Sequence, residues 1–323
     1  MMEGESEPAV SSVVLGPEHL ADAIRQANLE PLQLSSASLE SRVGRVICPN
    51  MCVDIANIGP AMLFSGAMSA SCFTIVLVTE CPTPGRSFNF GVEHEEGYIG
   101  FFPPGGQLDA YTPEGYANMS LTVPEEVFLD ALESSFPEMP GGLIKHGAGV
   151  RIGGVERSEL EMIFRAIRQA LEDSSNSLAD PRARAELEKL LLDAFLTGLR
   201  SAEEIDVPRP GTRMHGRMKN LKQARDFVRD HVHEAFGLDE LCQGIGMSKR
   251  GVEVLFRASL GITPHAFVRN QRLHGVRRAL LESSPGAGSV KESALEWGFW
   301  HLGHFSANYR QLFGETPSMT LSR

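Results

Sequence analysis

The chain has 323 residues, 42% hydrophobic and 22% charged, with five cysteines and a formal net charge of −11. That composition is ordinary for a soluble globular protein of about two domains. No run of 18 apolar residues occurs and Met1–Pro8 is acidic and polar, so neither a membrane-spanning helix nor a signal sequence is expected.

Residues 1–16 read as loosely attached, and Leu20, Ile24 and Ala27 predict a short helix over 17–29. From 32 to 122, glycines and prolines separate short apolar runs. These runs are Val43–Ile47, Cys52–Ile58, Ala61–Phe64, Cys72–Val78, Ser87–Phe90, Tyr98–Phe102 and Met119–Val123. Strand-length segments at roughly ten-residue spacing predict an antiparallel sandwich or small barrel. Such a fold can hold a small ligand, and the candidate effector-binding residues are Arg42, Arg45, Tyr98, Gln107 and Tyr111, with Asn89 and His94 as further lining groups. Cys48-Pro-Asn-Met-Cys52 is half a metal site without a second pair, so no metal and no cofactor is assigned. An odd number of cysteines without small-domain spacing reads as reduced thiols, which places the chain in the cytoplasm.

Helices are predicted from Pro124, over Glu159–Leu171 and after Asp180-Pro181. The apolar stripes on the last two pack against the strands or form a dimer seam. Pro208, Pro210 and Gly211 mark a linker over 201–212. Beyond it the charge changes sign. Residues 213–323 hold 16 Lys+Arg and 10 Asp+Glu, a net of +6, which leaves −17 for the remainder. A basic C-terminal part points to a polyanionic partner; a solvated helical surface that is merely basic is the alternative.

An internal repeat sharpens this. Gly261-x-Thr-Pro264 and Gly314-x-Thr-Pro317 lie 53 residues apart, as do Val252 and Phe305, and Phe256 and Tyr309. Each unit is a helix, a tight turn and a second helix ended by glycine, with Thr-Pro opening the next helix. The two units span about 238–260 and 290–313. A long arginine-bearing helix (Arg269, Arg272, Arg277, Arg278) and a turn at Ser283–Gly288 join them. At roughly 100° per residue, Val252, Leu255, Phe256 and Ser259 share the buried face of the first unit's second helix. The opposite side carries Arg250, Glu253 and Val254, flanked by Lys249 and Arg257. Arginine can pair with guanine, a carboxylate can accept from cytosine, and flanking cations suit phosphates. In the second unit Leu302, Phe305, Tyr309 and Leu312 are buried. Trp300, Gly303, His304, Ala307 and Gln311 face outward beside Arg310, a face poor in strong hydrogen-bonding groups.

These residues carry a family resemblance. Leu241–Ser248, Phe256, Gly261-x-Thr-Pro264, Arg269-x-x-Arg272-Leu273 and Gly298-Phe299 with Phe305, Tyr309 and Phe313-Gly314-x-Thr-Pro317 resemble the DNA-binding domain of AraC/XylS-type transcription regulators. Gly298-Phe-Trp-His-Leu-Gly-His304 is similar to the form found in ethanolamine-operon regulators. The resemblance implies seven helices in 213–323, with two recognition helices on either side of a long connecting helix. It places base reading on Arg250, Glu253 and Val254 and on Gly303, His304 and Ala307. Gly303 and Ala307 stand where longer polar side chains are common, and Trp300-His301 replaces a small polar and acidic pair. Both departures favour backbone positioning or shape readout in the second unit.

The expected fold is therefore α+β. A cupin-like barrel or sandwich with following helices (1–200) would sense an effector and dimerise, and an all-α DNA-binding domain (213–323) would follow the linker. The expected function is a non-enzymatic, sequence-specific transcription regulator. Its partners would be double-stranded promoter DNA, a metabolite or nucleotide second messenger, a second copy of the chain, and RNA polymerase. The alternative is a cupin-like enzyme fused to a DNA-binding module.

Overall fold

The computed structural model describes residues 8–36, 40–82, 87–89, 92–135, 148–152, 154–172, 177–200, 204–206, 213–234, 236–283 and 289–323. Thirteen strands among these form two antiparallel sheets. The larger runs β1 (Val10–Leu15), β3 (Ser41–Ile47), β4 (Cys52–Ile58), β11 (Tyr116–Pro124), β6 (Cys72–Glu80), β9 (Tyr98–Phe102), β12 (Ala148–Arg151) and β13 (Glu204–Asp206). The smaller runs β2 (Asn28–Gln33), β5 (Met62–Ala67), β10 (Gln107–Thr112), β7 (Ser87–Asn89) and β8 (Val92–His94). The two sheets do not close into a barrel; the architecture is a sandwich, and its predicted strands recur at β3–β7, β9 and β11.

Alternation along the strands explains the layering, because successive side chains point to opposite faces. In the larger sheet Val53, Ile55, Met119 and Leu121 face outward onto α1 (Glu125–Ser135), α2 (Gly154–Glu172) and α3 (Pro181–Arg200). Ala56, Ile58 and Tyr116 face inward to the smaller sheet. The register pairs Ile58 with Tyr116 and Ala56 with Asn118. The smaller sheet is also covered on both sides. Met62 and Phe64 point to the interior, while Ala61, Leu63 and Tyr111 meet the C-terminal helices. Four layers result: helices, sheet, sheet, helices.

Residues 213–323 contain seven described helices. They are α4 (Arg213–Asp230), α5 (Leu238–Ile245), α6 (Lys249–Leu260), α7 (Pro264–Glu282), α8 (Val290–Glu296), α9 (Leu302–Phe313) and α10 (Pro317–Leu321). The repeated tetrapeptide is end chemistry. Gly261 and Gly314 adopt φ of 70° and 76° at helix C-termini, a conformation that favours glycine. Thr263 and Thr316 then accept from Ala266 N–H and Met319 N–H at 3.1 and 3.3 Å, the N-cap bond that satisfies an otherwise orphaned donor.

Several expectations are corrected. The chain over 10–15 is a strand paired with β3, not a loose terminus; residues 1–7 lie outside the described residues. The predicted helix over 17–29 is a 3₁₀ helix at Pro17–Ala23 followed by β2, because Leu29 is needed in the sandwich interior and Leu32 on its outer face. Within the predicted linker, 204–206 form β13 against β12; 201–203, 207–212 and the turn at 284–288 lie outside the described residues.

Candidate nucleic-acid interface

The first unit builds its outward face from local chemistry. Gly246 turns the chain with φ of 66°, and Ser248 caps α6 by accepting from Gly251 N–H at 3.2 Å. Burial of Val252, Leu255, Phe256, Ser259 and Leu260 sets the rotation of α6. Lys249, Arg250, Glu253, Val254 and Arg257 are all exposed on its other side. Arg250, Glu253 and Arg257 make no ion pair with any described residue. Lys249 differs, because its ammonium binds the Asp239 carboxylate at 2.7 Å. That hydrogen bond, with the carboxylate's charge, raises Lys249 above its ordinary pKa.

The second unit follows the same plan with fewer polar groups. Phe305, Tyr309, Leu312 and Phe313 are buried, while Trp300, Gly303, His304, Ala307, Arg310 and Gln311 are exposed. Trp300 is 74% exposed. The space where a Gly303 side chain would project is open, so a longer residue would fit there and this chain does not supply one. His301 occupies the N-cap of α9 without making a side-chain cap bond. The missing acidic residue therefore leaves that helix start uncapped, as its replacement suggested.

The helical part is clamped to the sandwich by residues that pattern reading did not single out as functional. On α7, Asn270 Nδ2 donates to Leu34 O at 2.9 Å, and His274 Nε2 accepts from Gln33 N–H at 3.0 Å. The Gln33 side chain donates to Leu312 O at 2.5 Å, at the end of α9. Arg277 forks onto Glu18 at 2.8 and 3.0 Å and reaches Glu315 Oε1 at 2.6 Å. Arg323 also touches Glu315 at 2.6 Å, and Arg225 on α4 pairs with Asp109 on β10. The available signal was the stripe Asn270, His274, Arg277: polar residues at four- and three-residue spacing where a packed helix face is ordinarily apolar.

The candidate effector residues do not form one site. Tyr98 lines a cavity of about 60 Å³ inside the sandwich, stacked on His94 at 4.1 Å. Arg42 is exposed on β3 and Gln107 is exposed at the start of β10. Tyr111 faces the C-terminal helices and stacks on Phe88. Arg45 Nε bonds the buried Asp54 carboxylate at 2.5 Å, so its charge is already matched inside the protein. Burial pushes Asp54 up against the opposing pull of Arg45.

A helix-turn-helix domain family matches residues 241–323. XylDLEGF operon transcriptional activator 3 of Pseudomonas putida is 39% identical over 104 residues, 32% of this chain and 31% of that protein. XylDLEGF operon transcriptional activator 1 of the same species is 25% identical over 281 residues, 84% of this chain and 80% of that protein. Among solved structures, a probable AraC family transcriptional regulator from Rhodopseudomonas palustris is 32% identical, over 32% of this chain and 98% of that one, with a TM-score of 0.31.

Proposed function

The chain belongs to the AraC/XylS type of helix-turn-helix regulators, and from that premise we propose a transcription factor that reads promoter DNA through residues 213–323 under control of a small molecule bound within residues 1–200. The observation that carries this reading is the outward face of α6: Arg250, Glu253, Val254 and Arg257 exposed on one side, with the apolar face locked beneath. A helix of that geometry enters a major groove and presents guanidinium and carboxylate groups to base edges. Lys249 would exchange Asp239 for a phosphate. The second unit, with only His304 and Arg310 to offer as charged or titratable groups on its face, would position the duplex and read its shape.

Control has a physical route. The 3₁₀ helix at Pro17–Ala23 places Leu20 in the cavity lining and Glu18 on Arg277. An occupant that shifts Leu20 therefore bears on the ion pair that holds α7 and, through Glu315, the end of α9. Dimerisation through α2 and α3 is supported by the exposed Val155, Met162 and Leu190. A cytoplasmic location and contact with RNA polymerase follow from the same reading. No described helix is long and apolar enough to cross a membrane.

The test is a duplex selected from a random pool and titrated by fluorescence anisotropy. Arg250→Ala is expected to weaken binding by about 1–3 kcal/mol and to relax preference at one base position, whereas Lys249→Ala lowers affinity evenly across sequences and reduces the salt slope. Unchanged affinity and unchanged preference in Arg250→Ala would overturn the assigned reading face.

A further inference from the structure

The cavity between the two sheets is lined chiefly by apolar side chains, among them Leu20, Ile58, Phe64, Val78, Phe102 and Leu108. Among the described residues that line it there is no lysine, arginine, aspartate or glutamate. The polar groups that reach it are His94, Tyr98, Thr112, Tyr116 and Asn118. Two of these are unusual. Thr112 is 6% exposed and its Oγ1 has no hydrogen-bond partner among the described residues; Asn118 Oδ1 has none either, although the Asn118 amide also bonds the neighbouring Tyr116 hydroxyl. Buried polar atoms are nearly always satisfied, so orphans on a cavity wall call for an explanation. A carboxylate oxygen or a phosphate would find no cation here, and an ion moved from water into such a wall loses far more hydration than two neutral dipoles restore. Nor does His94 supply a positive charge, since burial, helped by Arg151, pushes its imidazole down to about 3.

Resting on the reading of residues 1–200 as the effector half, we propose that this cavity takes an uncharged, largely apolar small molecule bearing one hydrogen-bond donor, such as a hydroxyl, held by Asn118 Oδ1 and Thr112 Oγ1. Asn118 Oδ1 can only accept, which requires a donor on the ligand. Thr112 Oγ1 can accept or donate and completes the bond pair. Phosphorylated and carboxylated effectors are excluded by the same wall.

Three probes of one size and three charges test this on the full chain: benzyl alcohol, benzoate and benzylamine, by calorimetry and thermal shift at pH 7.5. Benzyl alcohol is expected to bind saturably and raise the unfolding midpoint, while benzoate and benzylammonium at equal concentration leave it unchanged. Thr112→Val, which keeps the shape and removes the hydroxyl, should weaken benzyl alcohol about fivefold or more. It should also raise the ligand-free midpoint, because the orphan is gone. Asn118→Leu should weaken it further and independently. Binding of benzoate that equals or exceeds that of benzyl alcohol overturns the proposal. So does the absence of any heat or shift with all three, which would mean a cavity holding water only. Thr112-dependent binding of benzyl alcohol that leaves DNA affinity unchanged keeps the ligand class and instead removes the effector reading of residues 1–200.

Discussion

Arg277→Met is expected to lower the unfolding free energy by about 3 kcal/mol, the low end of what removing one partner from a buried ion cluster costs. The guanidinium side chain is 4% exposed and lies between Glu18 at 21% and Glu315 at 9%. It also sits over the Phe313 ring at 4.8 Å. Methionine keeps most of the stem's packing but leaves two carboxylates facing each other with only Arg323 near, at 3.9 Å from Glu18 and 2.6 Å from Glu315. That residual partner, and the partial exposure of Glu18, hold the loss to the low end. Arg277→Lys should rescue little, because one compact ammonium cannot fork onto Glu18 and still reach Glu315. Urea titration with a double-mutant cycle through Glu18→Gln checks this. A loss under 1 kcal/mol for Arg277→Met, or no coupling in the cycle, would show that the cluster does not hold the helical part to the sandwich. The pH signature is separate. Burial raises the Glu18 carboxyl, but Arg277 outweighs it and leaves it below the usual value. Its contribution is therefore complete above the unfolded carboxylate pKa and is lost as pH falls through the lower folded one.

Between pH 6.5 and 5, above the carboxylate range, the chain is expected to lose stability on acidification at up to about 1.4 kcal/mol per pH unit for each of two histidines. Burial pushes both His94 and His274 from 6.5 down to about 3. Below pH 6.5 the unfolded chain binds these two protons and the folded chain does not, so stability falls with pH throughout that window. The causes differ. His94 is packed on Tyr98 with Arg151 nearby. His274 accepts from Gln33 N–H between Arg277, Glu18 and Arg278, and a protonated ring could no longer accept that bond. Because His274 is only half-buried, its share should be the smaller. The measurement is the urea midpoint at intervals of half a pH unit. His94→Gln and His274→Gln should each flatten the slope. A wild-type profile that is level from 6.5 to 5 contradicts both assignments.

The helix-turn-helix units were legible because their signals are local. Gly261, Thr263 and Pro264, and their counterparts Gly314, Thr316 and Pro317, act on donors and acceptors within four residues. The buried and outward faces of α6 and α9 follow from rotation about one helix axis. Strands β4 and β9 were legible for a related reason, as apolar runs buried on both faces and bounded by turn residues. Arg42, Arg45, Gln107 and Tyr111 are not brought to the cavity that Tyr98 lines. Period-two alternation says which residues share a face, but not which layer covers that face or whether a charge is already matched across the sheet, as Arg45 is by Asp54.

The sequence by itself determined the two helix-turn-helix units, their glycine and threonine caps and their exposed side chains, because those depend on groups a few residues apart. Only the tertiary structure decided that α7 and α9 are clamped to the sandwich, and that the described residues of the cavity wall are uncharged. Glu18 and Arg277 are 259 residues apart, and Gln33 and Leu312 are 279 apart. Contacts at such separations arise from how four layers stack, and stacking leaves no periodicity in the chain.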